Sequence, residues 1–119
     1  MERRFRLTRS TDIKRVRRLG KSYAHPLIVL QMAVNENQDT RFGIVAGRSV
    51  GGAVQRNRAK RLMRESLRSL LPEINPGWDI LLLARHGMDG ATFTNVHTVM
   101  TTLLQRAHLL MAQNHVHHS

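Results

Sequence analysis

Apolar positions recur along the chain in two rhythms. Between Ser10 and Gly20, Ile13 and Val16 stand three apart among charged residues. That spacing predicts a short helix capped by Ser10 or Thr11, with Asp12 in its first turn and Gly20 as its stop. Tyr23 to Val34 reads as a strand, because Leu27-Ile28-Val29-Leu30 is a continuous apolar run with β-branched members after His25-Pro26. Asn35 to Thr40 is polar and turn-like. Arg41 to Ala46 predicts a second strand, with Phe42 and Ile44 on one face and Gly43 and Val45 on the other. A glycine-rich loop, 47–52, opens a long helix that ends near Leu71, before Pro72; Ala59, Leu62, Met63, Ser66, Leu67 and Leu70 share its packing face. Pro76-Gly77 turns the chain into Trp78 to Ala84, where Ile80-Leu81-Leu82-Leu83 predicts a strand buried on both faces. After a loop at Gly87, Asp89 and Gly90, a last helix is expected over Thr94 to Met111. Its apolar positions are Val96, Val99, Met100, Leu103, Ala107, Leu110 and Met111.

The 119 residues are the length of one domain, 1–119, with 1–9 read as a basic mobile arm and 112–119 as a disordered His-rich tail. Cysteine is absent, which removes disulfides, thiolate catalysis and cysteine zinc sites. No apolar run approaches the roughly 20 residues of a membrane span. The arginine-rich start lacks the apolar stretch of a secretory signal, so the cytoplasm is the expected location.

Charge changes the picture most. The 19 Lys and Arg against 8 Asp and Glu give +11, and 17 of the 19 lie in residues 1–68. Arginine outnumbers lysine 16 to 3, and its planar fork suits bidentate contact with phosphate. The density peaks at Arg56-Asn57-Arg58-Ala59-Lys60-Arg61-Leu62-Met63-Arg64. On a helix, Asn57, Arg61, Arg64 and Arg68 form one row beside Lys60, opposite the packing face. A solvated cationic face is the plainest alternative. Against it, Arg48 to Arg68 holds seven Lys or Arg and one acid, Glu65, so like charges repel instead of pairing four apart. A polyanionic partner relieves that repulsion.

With this order of elements in place, Gly51 to Glu65 resembles the signature of the bacterial ribonuclease P protein subunit family. Gly51, Ala53, Val54, Arg56, Asn57, Arg58, Lys60, Arg61, Arg64 and Glu65 carry the match. The resemblance extends to Arg6-Leu7, Asp12, Gly20, Gly43 and Leu83-Ala84-Arg85. It implies a single α+β domain of αβββαβα order, with a four-stranded mixed sheet and flanking helices. It also implies a left-handed βαβ crossover, as in the ribosomal protein S5 domain 2-like fold, an exception to the usual hand. The implied function is to join a catalytic RNA, with its magnesium, and promote removal of the 5′ leader from precursor tRNA. The implied partners are that RNA and precursor tRNA, with a possible dimer of the holoenzyme.

By the same resemblance, Arg48, Arg56, Asn57, Arg58, Lys60, Arg61, Arg64 and Arg68 contact RNA, while Ile13, Arg17 and Gln31 line a cleft for the leader. The family often places aromatic residues at these three cleft positions. Arg17 offers guanidinium stacking and Ile13 an apolar contact in their stead. No catalytic or metal-ligating residue is expected on the protein itself, because its acids are few and scattered.

Three other functional classes remain open on residues alone: an RNA-binding module docking ribosomal RNA, a protein-only nuclease, and a basic helix in a DNA groove. His115, His117 and His118 invite a metal reading, but a terminal tail without thiolates or clustered carboxylates is not a preorganised site.

Overall fold

The computed structural model describes residues 2–36 and 39–111. The helix α1 spans Ser10–Leu19 and the strands are β1 Lys21–Ala24, β2 Ile28–Val34 and β3 Arg41–Ala46. The helix α2, Ala53–Leu70, connects β3 to β4, Trp78–Ala84, and α3 is Phe93–Arg106. The sheet order is β1-β2-β4-β3, with β3 parallel to β4 and the other pairs antiparallel. This is the α+β, four-stranded mixed sheet of the expected order.

Alternation along the strands sends one set of side chains to each face. Ile28, Leu30, Met32, Phe42, Ile80 and Leu82 meet α2 and α3 in the main core, with Met63, Leu67, Met100 and Leu103. On the other face, Leu81 packs with Val16 of α1 and with Leu7, flanked by Ile13, Ala33 and Leu83. The central strand β4 is therefore buried on both faces, as its unbroken apolar run predicts.

Several boundaries differ from expectation for identifiable reasons. The single strand expected over Tyr23 to Val34 is a hairpin that breaks at His25-Pro26. Its turn is closed by His25 N–H to Ile28 O (3.0 Å) and by Leu27 N–H to His25 Nδ1 (3.1 Å). The helix α1 is preceded by Arg9 as N-cap, one residue before Ser10 and with no side-chain cap. At its other end Gly20 is obligatory: a Cβ there would stand 2.5 Å from Val16 O and 2.8 Å from Met32 O. The helix α3 starts at a Thr92–Asn95 capping box and stops five residues before Met111. His108 turns left-handed there (φ +56°) and Leu109 N–H returns to Leu104 O (3.0 Å), while Asn75 takes the carbonyls beyond, that of Leu109 with its N–H (2.7 Å) and that of His108 with its side-chain amide (3.3 Å).

Part of the stretch expected as a mobile arm is docked. Leu7 is buried, its N–H donates to Phe42 O (2.8 Å), and Arg6 bridges to Phe42 at the β3 edge. The His-rich tail, 112–119, lies outside the described residues. Among the described residues no helix is long and apolar enough to cross a membrane.

Candidate nucleic-acid interface

The helix α2 divides as its sequence dictates. Ala59, Met63, Ser66, Leu67 and Leu70 are buried, while Asn57, Arg61, Arg64 and Arg68 are exposed on the opposite side. Burying one stripe fixes the helix by its apolar contacts and leaves the cationic row no choice but solvent. Lys60 and Arg56 are half-buried at the margins. Gly51, at φ +138°, makes the turn into the helix that an L side chain rarely adopts. The preceding turn, Arg48–Val50, anchors Val50 in the core and leaves Arg48 exposed.

Few of these cations are neutralised by the protein. Among the described residues only Arg68 pairs with a carboxylate, Glu65, at 3.1 Å and largely in solvent, where such a pair contributes little. Arg48, Arg56, Arg58, Lys60, Arg61 and Arg64 have no acidic partner among the ion pairs formed. Arg58 is committed otherwise: its Nη2 donates to Ala91 O at 2.7 Å and ties α2 to the loop before α3. The buried Nε of Arg56 has no hydrogen-bond partner, so its fork is not consumed internally.

A second surface lies on the opposite side of the sheet. Ile13 and Arg17, four residues apart, share one flank of α1. Ile13 rests on the Leu7–Val16–Leu81 cluster, and Arg17 is exposed without a carboxylate partner among the described residues. Gln31 points from β2 to the α1-covered face, in register with Leu81, and its amide donates to Ser22 Oγ at 3.0 Å. The fold thus gathers Ile13, Arg17 and Gln31 on one face and sets the arginine row of α2 on another element behind the sheet.

The residue that sequence reasoning missed is Asp79, wholly buried in β4. Arg41, opposite it in the parallel register, donates from Nε to Oδ1 (2.9 Å) and from Nη2 to Oδ2 (2.8 Å). Asn35 Nδ2 donates to Oδ1 at 2.9 Å, and Arg15 of α1 also bonds the carboxylate. Arg41 reaches on to Asp12 at 3.5 Å. The hydrogen bond to Asp79 raises the Arg41 pKa above its ordinary value against the opposing effect of burial. Two residues of α1, Asp12 and Arg15, are thereby locked to the sheet, which fixes the flank that presents Ile13 and Arg17. The available signal was an acid inside an otherwise apolar strand, which demands a buried cation.

Glu2, Asp12, Glu65 and Asp79 face arginines, and no group of three His, Asp or Glu converges among the described residues.

Comparison with known proteins bears on this arrangement. A family model described as Ribonuclease P matches residues 1–108. The ribonuclease P protein component of Herpetosiphon aurantiacus is 40% identical over 109 residues, covering 92% of this chain and 89% of the relative. That of Chloroflexus aurantiacus is 41% identical over 113 residues, covering 94% and 84%. Among solved structures, the Staphylococcus aureus RNase P protein superposes with a TM-score of 0.82 at 27% identity, covering 89% of this chain and 97% of that one. The RNase P protein from Thermotoga maritima gives 0.77 at 30% identity, covering 85% and 96%.

Proposed function

The chain belongs to the ribonuclease P protein family, and we propose that its two surfaces divide the work of a ribonucleoprotein between the RNA subunit and the substrate. Family membership makes it the protein component of an endoribonuclease in tRNA processing, with the ribonuclease P RNA as its partner. In the proposed division, Arg48, Arg56, Asn57, Lys60, Arg61, Arg64 and Arg68 hold phosphates of that RNA, with Arg58 shared between RNA and the Ala91 carbonyl. The observation that carries this is the exposure of Asn57, Arg61 and Arg64 on a helix whose other stripe is buried, with neither arginine paired to a carboxylate among the described residues. Each phosphate so neutralised releases condensed counterions, which makes the binding salt-dependent.

The face bearing Ile13, Arg17 and Gln31 holds the unpaired 5′ leader of precursor tRNA. Ile13 supplies apolar contact, Arg17 a guanidinium plane for a base, and Gln31 a half-buried amide. The Asp79 network keeps this face rigid, so the leader meets a preformed surface. Cleavage of the phosphodiester lies with the RNA and the magnesium ions that its phosphates hold; among the described residues of the protein, Glu2, Asp12, Glu65 and Asp79 pair with its own arginines and no three acids or histidines converge. The cytoplasm, where precursor tRNA is made, is the proposed location.

Reconstitution tests the reading. The protein added to a bacterial ribonuclease P RNA at low magnesium is expected to stimulate precursor tRNA cleavage, and the protein alone to cut nothing. Binding to ribosomal RNA without stimulation, or cutting by protein alone, would contradict it.

A further inference from the structure

The flank of α1 opposite Ile13 and Arg17 presents Arg15 and Leu19, and these line a groove of about 550 Å³. The strand β1 begins at Lys21, opposite Met32, so Ala33 and Val34 at the end of β2 have no β1 neighbour and open into the same space. Trp78 and Tyr23 bring aromatic surface to it. Leu19 and Val34 are 66% and 65% exposed, so two of the chain's most exposed large apolar side chains meet at one groove.

Its electrostatics have one sign. Lys21 and Arg15 are the charged residues that line the groove, and among the described residues no carboxylate does. The nearest acid in the network below, Asp79, is fully buried and held by Arg15, Arg41 and Asn35. His108 holds a positive φ of 56°, uncommon for a residue with a side chain, and its carbonyl is bound by the Asn75 amide. Apolar and aromatic surface edged by cations is what unpaired nucleotides require: bases to stack and phosphates to neutralise. A second copy of this chain, itself at +11, would be repelled.

The geometry points to this groove as a second station for the single-stranded leader, taking nucleotides beyond those held at Ile13, Arg17 and Gln31. A strand leaving that face crosses α1 and meets Leu19, Val34 and Trp78 with its bases, and Lys21 with its phosphates. This rests on the leader-binding reading above.

The test uses holoenzyme reconstituted with wild-type protein, with the surface pair Leu19→Ser and Lys21→Gln, or with Arg17→Ala. Each is titrated with precursor tRNA whose leader ends within the first face, or is extended by several nucleotides. Trp78, the chain's one tryptophan, reports on the groove directly. The extended leader alone is expected to quench Trp78 emission. The double variant should lose roughly fivefold in affinity for the extended leader and nothing for the short one, as loss of one stacking or phosphate contact implies. Arg17→Ala should weaken both. An unquenched Trp78, or a double variant that keeps the wild-type ratio of affinities, overturns the second station. If Arg17→Ala still weakens both leaders in that case, the first face stands; if it does not, both fail. Trp78 emission that changes with protein concentration in the absence of substrate would assign the groove to a protein contact and overturn the inference as well.

Discussion

Arg41 and Asp79 face each other across the parallel pair β3 and β4, joined by two hydrogen bonds of 2.9 and 2.8 Å, with the carboxylate fully buried. Arg15 and Asp12 extend this pair into α1, so a single buried carboxylate holds the helix that presents the proposed leader surface. Removing Arg41 takes two hydrogen bonds from this buried carboxylate and leaves it to Arg15 and Asn35 alone. Arg41→Ala is expected to destabilise the protein by about 3 kcal/mol in urea unfolding. Arg41→Lys should recover only part of this, because an ammonium cannot reproduce the two-pronged contact.

The two sides of α2 should respond in opposite ways to truncation. Met63→Ala removes a fully buried side chain and should cost about 3 kcal/mol of stability. Arg61→Ala, on the exposed row, should change stability by less than about 0.5 kcal/mol while weakening RNA binding. Thermal unfolding and RNA titration of the two variants check the separation.

Arg58 belongs to both sides. Its bond to Ala91 O predicts that Arg58→Ala loses about 1 kcal/mol of stability as well as RNA affinity, a combination not expected of Arg61→Ala or Arg64→Ala.

Gly20 closes α1 against the end of β2. Gly20→Ala brings a methyl against two backbone oxygens that cannot rotate aside, and a loss of about 2 kcal/mol in chemical denaturation is expected. Gly47→Ala, where a Cβ meets nothing within 4 Å, is the control and should be close to neutral.

Where side-chain periodicity decides structure, the chain was legible. The packing stripe of α2, the two-sided burial of β4 and the facing of Phe42 against Gly43 follow from spacing alone, because burial on a helix or strand is periodic. The hairpin at His25-Pro26 and the early end of α3 at Asn75 were not legible. The first is closed by a backbone bond and the His25 ring, the second by the left-handed residue His108 and by bonds from Asn75 far along the chain, and apolar spacing encodes none of these. Asp79 was hidden for a related reason: its partners lie 38, 44 and 64 residues away, and only the strand register brings them together. Docking of Leu7 was masked by the arginines around it. Of the candidate sites, the arginine row announced itself by charge and spacing. The face of Ile13, Arg17 and Gln31 came from family resemblance, and its rigid support was visible only in three dimensions.

The central claim is that the exposed row of α2 meets RNA phosphates. Its most direct measurement is the salt dependence of affinity for the ribonuclease P RNA, with wild-type protein and with Arg61→Ala and Arg64→Ala. Each substitution should reduce the slope of log K against log salt by about one. Slopes identical to wild type, with binding otherwise intact, would remove those guanidiniums from the interface and contradict the account.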